Sequence, residues 1–501
     1  MRRLLFPSGG TPFRAFPQIK YWVVAFAGAV FSLLVWKIMG LEFRYALAIV
    51  GGLSFLSISM MGISYVTDIL IYALVFNTPF SYFGKVFFRQ DVEFAPVLGL
   101  TVGLAEMLIL MSYAVWFVQI FIVKRESVPK FQRIDLFILL FIFFQVLSLI
   151  GAPNKALAAF DIIYTIKHAL IFFFIARNVK RYHLRWIIVC LLFAIVLESS
   201  VTLYERTTGN VGIARSKGDV GASGFAQQHT VPGIADEIRV EGTTCESHEL
   251  ALYYVMLLPV PFVLMMMRNL RPQVRLALFS VFVIGIGGIV LTFSRSGWIS
   301  LAISLAFAMG VMMFLWKQGR SFLILIAIFL VFSLVYPNAY QLVYKKFSEA
   351  PSTLIIERYD MALTALDIWR EDFFFGCGPG NYKYALEDPN VTVYDTAGFI
   401  VHNAYLWVAS EMGLFGLITF FGIIFLAILR CWNVLKCEDL LIRGFALAVL
   451  TGLFGLLVDG LTHPLFRLPV AYAQLWLYIG LTMSFQRMIK EKIPSAPPNL
   501  T

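Results

Sequence analysis

The chain alternates long apolar runs with short polar connections. Many of the runs reach the roughly 20 residues that a helix needs to cross the hydrocarbon core of a bilayer. They predict spans near 21–38, 43–61, 64–84, 96–122, 134–150, 160–177, 184–203, 249–267, 274–292, 297–315, 321–337, 403–429, 441–459 and 468–485. The fold expected is an all-α polytopic integral membrane protein of about 14 transmembrane helices. Two polar stretches break the rhythm of short connections, residues 205–248 and 338–402. They divide the chain into helices over 1–204, a first large loop, helices over 249–337, a second large loop, and helices with a tail over 403–501. Within the second loop, residues 352–375 predict an amphipathic helix. Leu354, Tyr359, Leu363, Leu366 and either Ile368 or Trp369 form its apolar stripe, and Arg358, Asp360 and Asp367 fall largely elsewhere.

Composition agrees with this pattern and excludes a soluble protein: of 501 residues 59% are hydrophobic and only 14% charged, with 48 Phe. The first twenty residues carry scattered basic groups and no small-residue cleavage site before a long apolar run, so the first span is expected to be retained. Charge then orients the helices, because basic loops stay on the cytoplasmic side. With a cytoplasmic N-terminus, 23 of the 40 Lys and Arg fall in cytoplasmic segments and seven in the short outer connections. The C-terminus is then cytoplasmic as well, and both large loops face outward. The net charge of +10 is accordingly a topology signal and not the footprint of a nucleic-acid partner.

The five cysteines show no zinc-site spacing. Cys245 and Cys377 lie one in each large loop, where they are either unpaired thiols or a disulfide joining the loops. Glu106, Lys167, His168 and Glu198 fall inside expected spans. Such groups either pair structurally, as Glu106 with Lys167 would, or line a polar path.

Candidate chemistry gathers at the outer face. Arg295 opens a span between Ser294 and Ser296, where an unpaired cation is costly unless it snorkels or meets an anion. Arg239 stands in the first loop, solvated or functional, and Arg358 in the second, within reach of Glu357 and Asp360. The run Gly376-Cys377-Gly378-Pro379-Gly380 lacks the spacing of a dinucleotide fingerprint, and Pro379 removes one amide, so a helix-stopping turn is the expected role. Asn381 and Tyr382 follow it, as sugar contacts or loop packing. His402 and Asn403 stand where the second loop meets a span, as an interfacial anchor and a helix cap or as reactive groups.

Arg358, Trp369, the segment GCGPGNY at 376–382, HNAYL at 402–406 and Glu411 with Gly413 and Gly416 together resemble the O-antigen ligase and polymerase superfamily of bacterial membrane glycosyltransferases. LTFSRSGW at 291–298 and the Arg-bearing segment 239–259 extend the resemblance upstream. It implies a GT-C-like enzyme at the outer face of the bacterial cytoplasmic membrane. Such an enzyme takes a glycan from undecaprenyl pyrophosphate and gives it to a glycan or lipid A core hydroxyl, with no cofactor, metal or nucleotide sugar. A chain-length regulator is a further partner for a polymerase. The resemblance makes His402 catalytic and Arg239, Arg295 and Arg358 the pyrophosphate ligands, with Asn381, Tyr382, Asn403 and Glu411 as sugar contacts. The types suit these tasks: paired Arg donors match phosphate oxygens, and imidazole accepts a proton near neutral pH. The span count and two large loops fit a polymerase of O-antigen or exopolysaccharide units, although ligases share the same signatures. The rival class is a transporter of a small anion or lipid-linked sugar, which would concentrate polar residues at mid-membrane.

Overall fold

Helices built from Leu, Ile, Phe and Val satisfy all their backbone groups internally, which is what a chain crossing lipid requires. A computed structural model of the chain describes residues 63–78, 83–88, 99–122, 130–211, 230–231, 234–244, 246–268, 270–317, 344, 353–394, 400–464 and 468–491. Among them nine helices are long and apolar enough to cross a membrane. The expected spans at 21–38, 43–61 and 321–337 lie outside the described residues.

In chain order the elements are α1 (Ile63–Phe76), β1 (Phe83–Phe88), β2 (Gly99–Gly103), α2 (Leu104–Phe117), α3 (Arg133–Gly151), α4 (Lys155–Asn178), α5 (His183–Thr208), β3 (Thr230–Val231), β4 (Ile234–Ile238), α6 (Ser247–Leu257), α7 (Pro259–Met266), α8 (Pro272–Leu291), α9 (Arg295–Phe314), α10 (Thr353–Glu371), α11 (Tyr382–Ala385), α12 (Ala404–Val434), α13 (Leu440–Asp459) and α14 (Pro469–Glu491). The architecture is helical, as expected, with two short hairpins beside the helices. β1 pairs with β2, and β3 with β4, as short antiparallel hairpins. The first occupies sequence expected to be helix, so the span near 64–84 shrinks to α1 and that near 96–122 to residues 104–122, where α2 runs on into a π-helical segment over Val118–Ile122. Val, Phe and Thr between glycines suit a pleated strand as well as an apolar helix, and apolarity alone does not separate the two. The helix Pro469–Glu491 stands where a span was expected at 468–485; Gln474, Thr482 and Ser484 on it are fully buried.

The contacts divide the chain into a unit of residues 1–70 and 110–127 and a unit of 71–109 and 128–501. Within the first, Gln119 donates to Thr67 Oγ1 at 2.7 Å. The second holds the rest of the described helices. At its centre stand α6 and α7, one apolar stretch broken at Pro259 and buried along its whole length. A helix apolar on every side belongs in such a position. Lipid supplies no hydrophobic drive between helices, so close packing decides the arrangement. Small residues provide it. A Cβ on Gly288 of α8 would meet Tyr254 Oη at 2.4 Å, and one on Gly452 of α13 would meet Met256 O at 2.6 Å.

One end of this unit is closed by basic groups. Arg177 pairs with Asp135 at 2.5 Å and Arg181 with Asp439 at 2.6 Å. Arg487 donates to the carbonyls of Ala176, Arg177 and Val179, which satisfies the end of α4. The intramembrane ionisable residues also have partners: Lys167 meets Glu106 at 2.5 Å, His168 Nδ1 lies 2.8 Å from Tyr164 O, and Glu198 accepts from Thr243. Cys377 is a free, buried thiol, so the disulfide alternative is not realised there; Cys245 lies outside the described residues.

The second loop uses its glycines to mend a broken helix. α12 leaves helical geometry at Gly413, where φ is +64°, and the turn residues 373–378 dock into the break. Leu414 N donates to Phe373 O, Cys377 N to Ser410 O and Gly378 N to Glu411 O, at 2.9, 2.9 and 3.0 Å. The groups orphaned by the break thus find partners, as they must at membrane depth. A Cβ on Gly413 would stand 2.3 Å from the Phe374 carbonyl carbon. Gly413→Ala should therefore cost more than the roughly 1–3 kcal/mol of backbone strain alone. Gly310→Ala, with nothing within 4 Å of its Cβ, should be neutral or stabilising by up to about 1 kcal/mol. Thermal unfolding in detergent checks the pair; equal melting temperatures would refute this account of the break.

Candidate functional site

Two carboxylates on one face of α5 catch the segment that follows β4. Glu205 accepts from Glu241 N and Gly242 N at 2.8 and 2.9 Å, and Glu198 accepts from Thr243 N at 3.0 Å. Spaced seven residues apart, they lie two turns apart along the helix. Gly242 is required here, because its φ is +62° and a Cβ would fall 2.5 Å from Glu198 Oε2. The anchored segment carries Arg239 to the start of α6. Its Nε donates to Thr292 O at 3.1 Å and its Nη2 lies 2.9 Å from His248 Nε2. Burial holds the Arg239 guanidinium below the ordinary arginine range, against the opposing pull of Glu241 and Glu246.

Between α8 and α9 only three residues make the turn, and Phe293 takes the left-handed conformation at φ +51°. A buried Phe pays strain there, a feature concentrated at functional sites. The turn places Ser294 as the cap of α9, accepting from Gly297 N, and Arg295 as its first residue. Ser294 Oγ lies 3.3 Å from His248 Nδ1 and 3.2 Å from Ser296 Oγ. Arg358, on α10, comes close enough that Arg295 lowers its affinity for its proton, second only to burial, while Asp459 opposes the shift. Neither Arg295 nor Arg358 has a hydrogen bond or salt bridge among the described residues, and the expected pairing of Arg358 with Glu357 or Asp360 is not formed. Two guanidinium groups whose charges act on one another, opposed by the single Asp459 carboxylate, leave positive charge that suits an anion.

His402 lies just ahead of α12. Its Nδ1 is 3.0 Å from Ile400 O. A carbonyl only accepts, so Nδ1 carries the hydrogen and Nε2 is the acceptor atom of the neutral ring. Asn403 caps α12, accepting from Tyr405 N and Leu406 N at 3.0 Å, and donates to Leu461 O at 3.1 Å. Ala404 N donates to Gly460 O at 2.8 Å, which fastens this helix start to the turn after α13. His248 ties these pieces together: Arg239 and Ser294 reach its ring nitrogens, and its ring packs against that of His463, beside the turn that receives Asn403 and Ala404. The starts of α6, α9 and α12 thus share one end of the unit with three arginines. Helix N-termini carry about half a positive charge each and favour anions.

Residues 254–421 match the O-antigen ligase family model. The matched segment runs from α6 into α12 and contains Arg295, Arg358 and His402. The match covers about a third of the chain and supports the resemblance to the O-antigen ligase and polymerase superfamily, and the long apolar helices fit an integral membrane protein. A comparison with curated proteins finds no match.

Of the residues expected in the site, Arg239, Arg295, Arg358 and His402 lie toward one end of the unit. Asn381, Tyr382 and Glu411 lie in the mended helix break instead. Asn381 is fully buried and exchanges hydrogen bonds with the backbone of Asn154, while Glu411 accepts from Gly380 N and Tyr382 N at 2.9 and 3.2 Å. The glycine run is therefore packed against α12, a firmer role than the expected helix stop. Three residues join the cluster that sequence reasoning passed over: His248, Asp459 and His463. Asp459 Oδ2 lies 2.9 Å from His463 Nδ1, and the two imidazole rings stand 4.5 Å apart. The i, i+4 spacing of Asp459 and His463 is a signal that could have been read. Among the described residues no three His, Cys, Asp or Glu group as metal ligands would.

Proposed function

We propose that this protein is a glycosyltransferase of the outer face of the bacterial cytoplasmic membrane, moving a glycan from undecaprenyl pyrophosphate to an acceptor hydroxyl. The observation that carries the reading is the meeting of Arg239, Arg295 and Arg358 from three separate segments, with neither Arg295 nor Arg358 held in a salt bridge among the described residues. In the proposed reaction the acceptor oxygen attacks the anomeric carbon as its proton passes to His402 Nε2. The bond from that carbon to the pyrophosphate breaks, and its electron pair leaves with the phosphate. The arginines and helix starts meet the negative charge that grows there, which is the task a fixed cation does best in a water-poor site. Nucleotide sugar, metal and cofactor have no step to perform in this scheme.

The acceptor decides whether the enzyme is a polymerase or a ligase. Purified protein given carrier-linked glycan together with both a second carrier-linked unit and lipid A core is expected to extend the carrier-linked chain, with a chain-length regulator as the partner in the cell. Transfer to lipid A core alone would make it a ligase, and transfer to neither would overturn the reading.

Sidedness is testable separately. With both termini cytoplasmic, Ser223→Cys and Asn390→Cys should each react with an impermeant maleimide added outside intact cells. Labelling of only one would separate the two loops and break the shared site.

A further inference from the structure

The Asp459–His463 pair lies beside the arginines but takes no part in the reaction as proposed. α13 ends at Asp459, and the following turn is tightly held: Thr462 N and Oγ1 donate to Asp459 O at 2.8 and 3.0 Å. His463 is thereby folded back over the helix end, and only 4% of its surface is exposed. Its Nδ1 faces the Asp459 carboxylate at 2.9 Å. A carboxylate only accepts, so this nitrogen carries the hydrogen and the lone pair of the neutral ring is at Nε2. Asp459 is itself steadied by Ser300, whose Oγ donates to Oδ1 at 3.3 Å.

Nε2 of His463 is buried and has no hydrogen-bond partner among the described residues. An acceptor left so is costly, and in a native site it calls for a donor that arrives with a ligand. Its surroundings narrow the choice. The ring packs against His248, which receives Arg239, and the same turn accepts from Asn403 and Ala404 beside His402. A phosphate oxygen has no hydrogen to give. A sugar hydroxyl does.

We propose that His463, oriented by Asp459, forms a glycan subsite that accepts a hydrogen bond from a hydroxyl of the carrier-linked sugar. The arginines then read the pyrophosphate, and His463 reads what is attached to it. The inference rests on the carrier-linked glycan reading above and adds a residue that discriminates a loaded carrier from a spent one. Product release follows naturally: once the sugar has moved, the pyrophosphate carrier lacks this contact.

The test measures binding of two probes to full-length protein in nanodiscs, sugar-free undecaprenyl pyrophosphate and the same carrier bearing the glycan isolated from the source bacterium. His463→Phe keeps the ring against His248 but cannot accept. It should weaken binding of the glycan-bearing carrier about tenfold, the scale of one lost hydrogen bond with its donor stranded, and leave the bare carrier unchanged. His463→Gln, which still offers an acceptor, should stay within about threefold of wild type. Should the Phe variant not fold, His463→Asn serves, being too short to place an acceptor where Nε2 stands. Equal weakening of both probes would assign the ring to the pyrophosphate and overturn the subsite, as would no weakening at all. Wild-type protein that binds the bare carrier as tightly as the loaded one overturns the subsite alone. Binding of neither carrier overturns the parent reading with it.

Discussion

Replacing His402 by Ala or Gln is expected to slow glycan transfer by about 10²–10⁴, the usual worth of a positioned general base. The expectation comes from geometry. Hydrogen bonding of Nδ1 to Ile400 O fixes the tautomer, and Asn403 and Ala404 pin the helix start that carries the ring to the turn after α13. Gln can imitate the hydrogen bond but cannot hold a proton at neutral pH, so it should be nearly as slow as Ala. Binding of the carrier should change little in either variant. A loss below about tenfold, in protein that melts normally, would remove the base role and leave His402 at most a binding residue.

Arg295→Lys is expected to fail almost as badly as Arg295→Ala, each losing about 10²–10³ in rate, as when one fixed donor at a developing charge is removed. A lysine restores the charge but not the planar fork that presents two parallel N–H groups to phosphate oxygens. The site also leaves little slack. Arg295 is the first residue of α9, aimed by a strained turn and a Ser294 cap, so a flexible ammonium there would not be held in place. Near-normal transfer by the Lys variant at matched protein levels would count against phosphate binding. Arg358→Lys makes a useful comparison, because Arg358 reaches the cluster from the amphipathic α10 and keeps an exposed flank.

Much of this architecture was legible in the sequence because lipid imposes a simple code. A run such as residues 134–150 can do little but form a helix, and α3 covers Arg133–Gly151. The code fails where apolar residues serve another backbone. β1 and β2 are as apolar as their neighbours, and the hairpin arises from pairing between stretches that period and hydropathy do not link. Arg295 and His402 could be singled out since each is a charged or titratable group at the rim of an apolar segment, and Arg239 and Arg358 through the segments of the two large loops that carry the resemblance. Asn381 and Glu411 were misleading for the same reason. They too are polar beside a span, but they satisfy a helix break at Gly413 that no local pattern announces. His248 and His463 stand on the expected outer face but lack the motif that singles out His402, and Asp459 carries no motif either. Only the packing of His463 against His248, 215 residues away in sequence by their numbers, reveals it as part of the cluster.

The intramembrane polar groups bear on the rival transporter class. Lys167 and Glu106 neutralise each other, and Glu198 fastens the segment that carries Arg239. Both arrangements are stabilising contacts in a medium that penalises lone charges. Apart from these, the arginines Arg239, Arg295 and Arg358 gather toward one end of the helix unit, where the proposed chemistry at a membrane surface would take place.

One reconstitution separates enzyme from transporter most directly. Proteoliposomes holding the purified protein receive glycan-bearing undecaprenyl pyrophosphate and an acceptor, and both the carrier product and the sidedness of the glycan are followed in the same vesicles. The account predicts acceptor-dependent release of sugar-free undecaprenyl pyrophosphate, abolished by His402→Ala, with the glycan joined to the acceptor on the face where it started. Glycan that crosses the bilayer with its pyrophosphate bond intact, and no acceptor product, would contradict it.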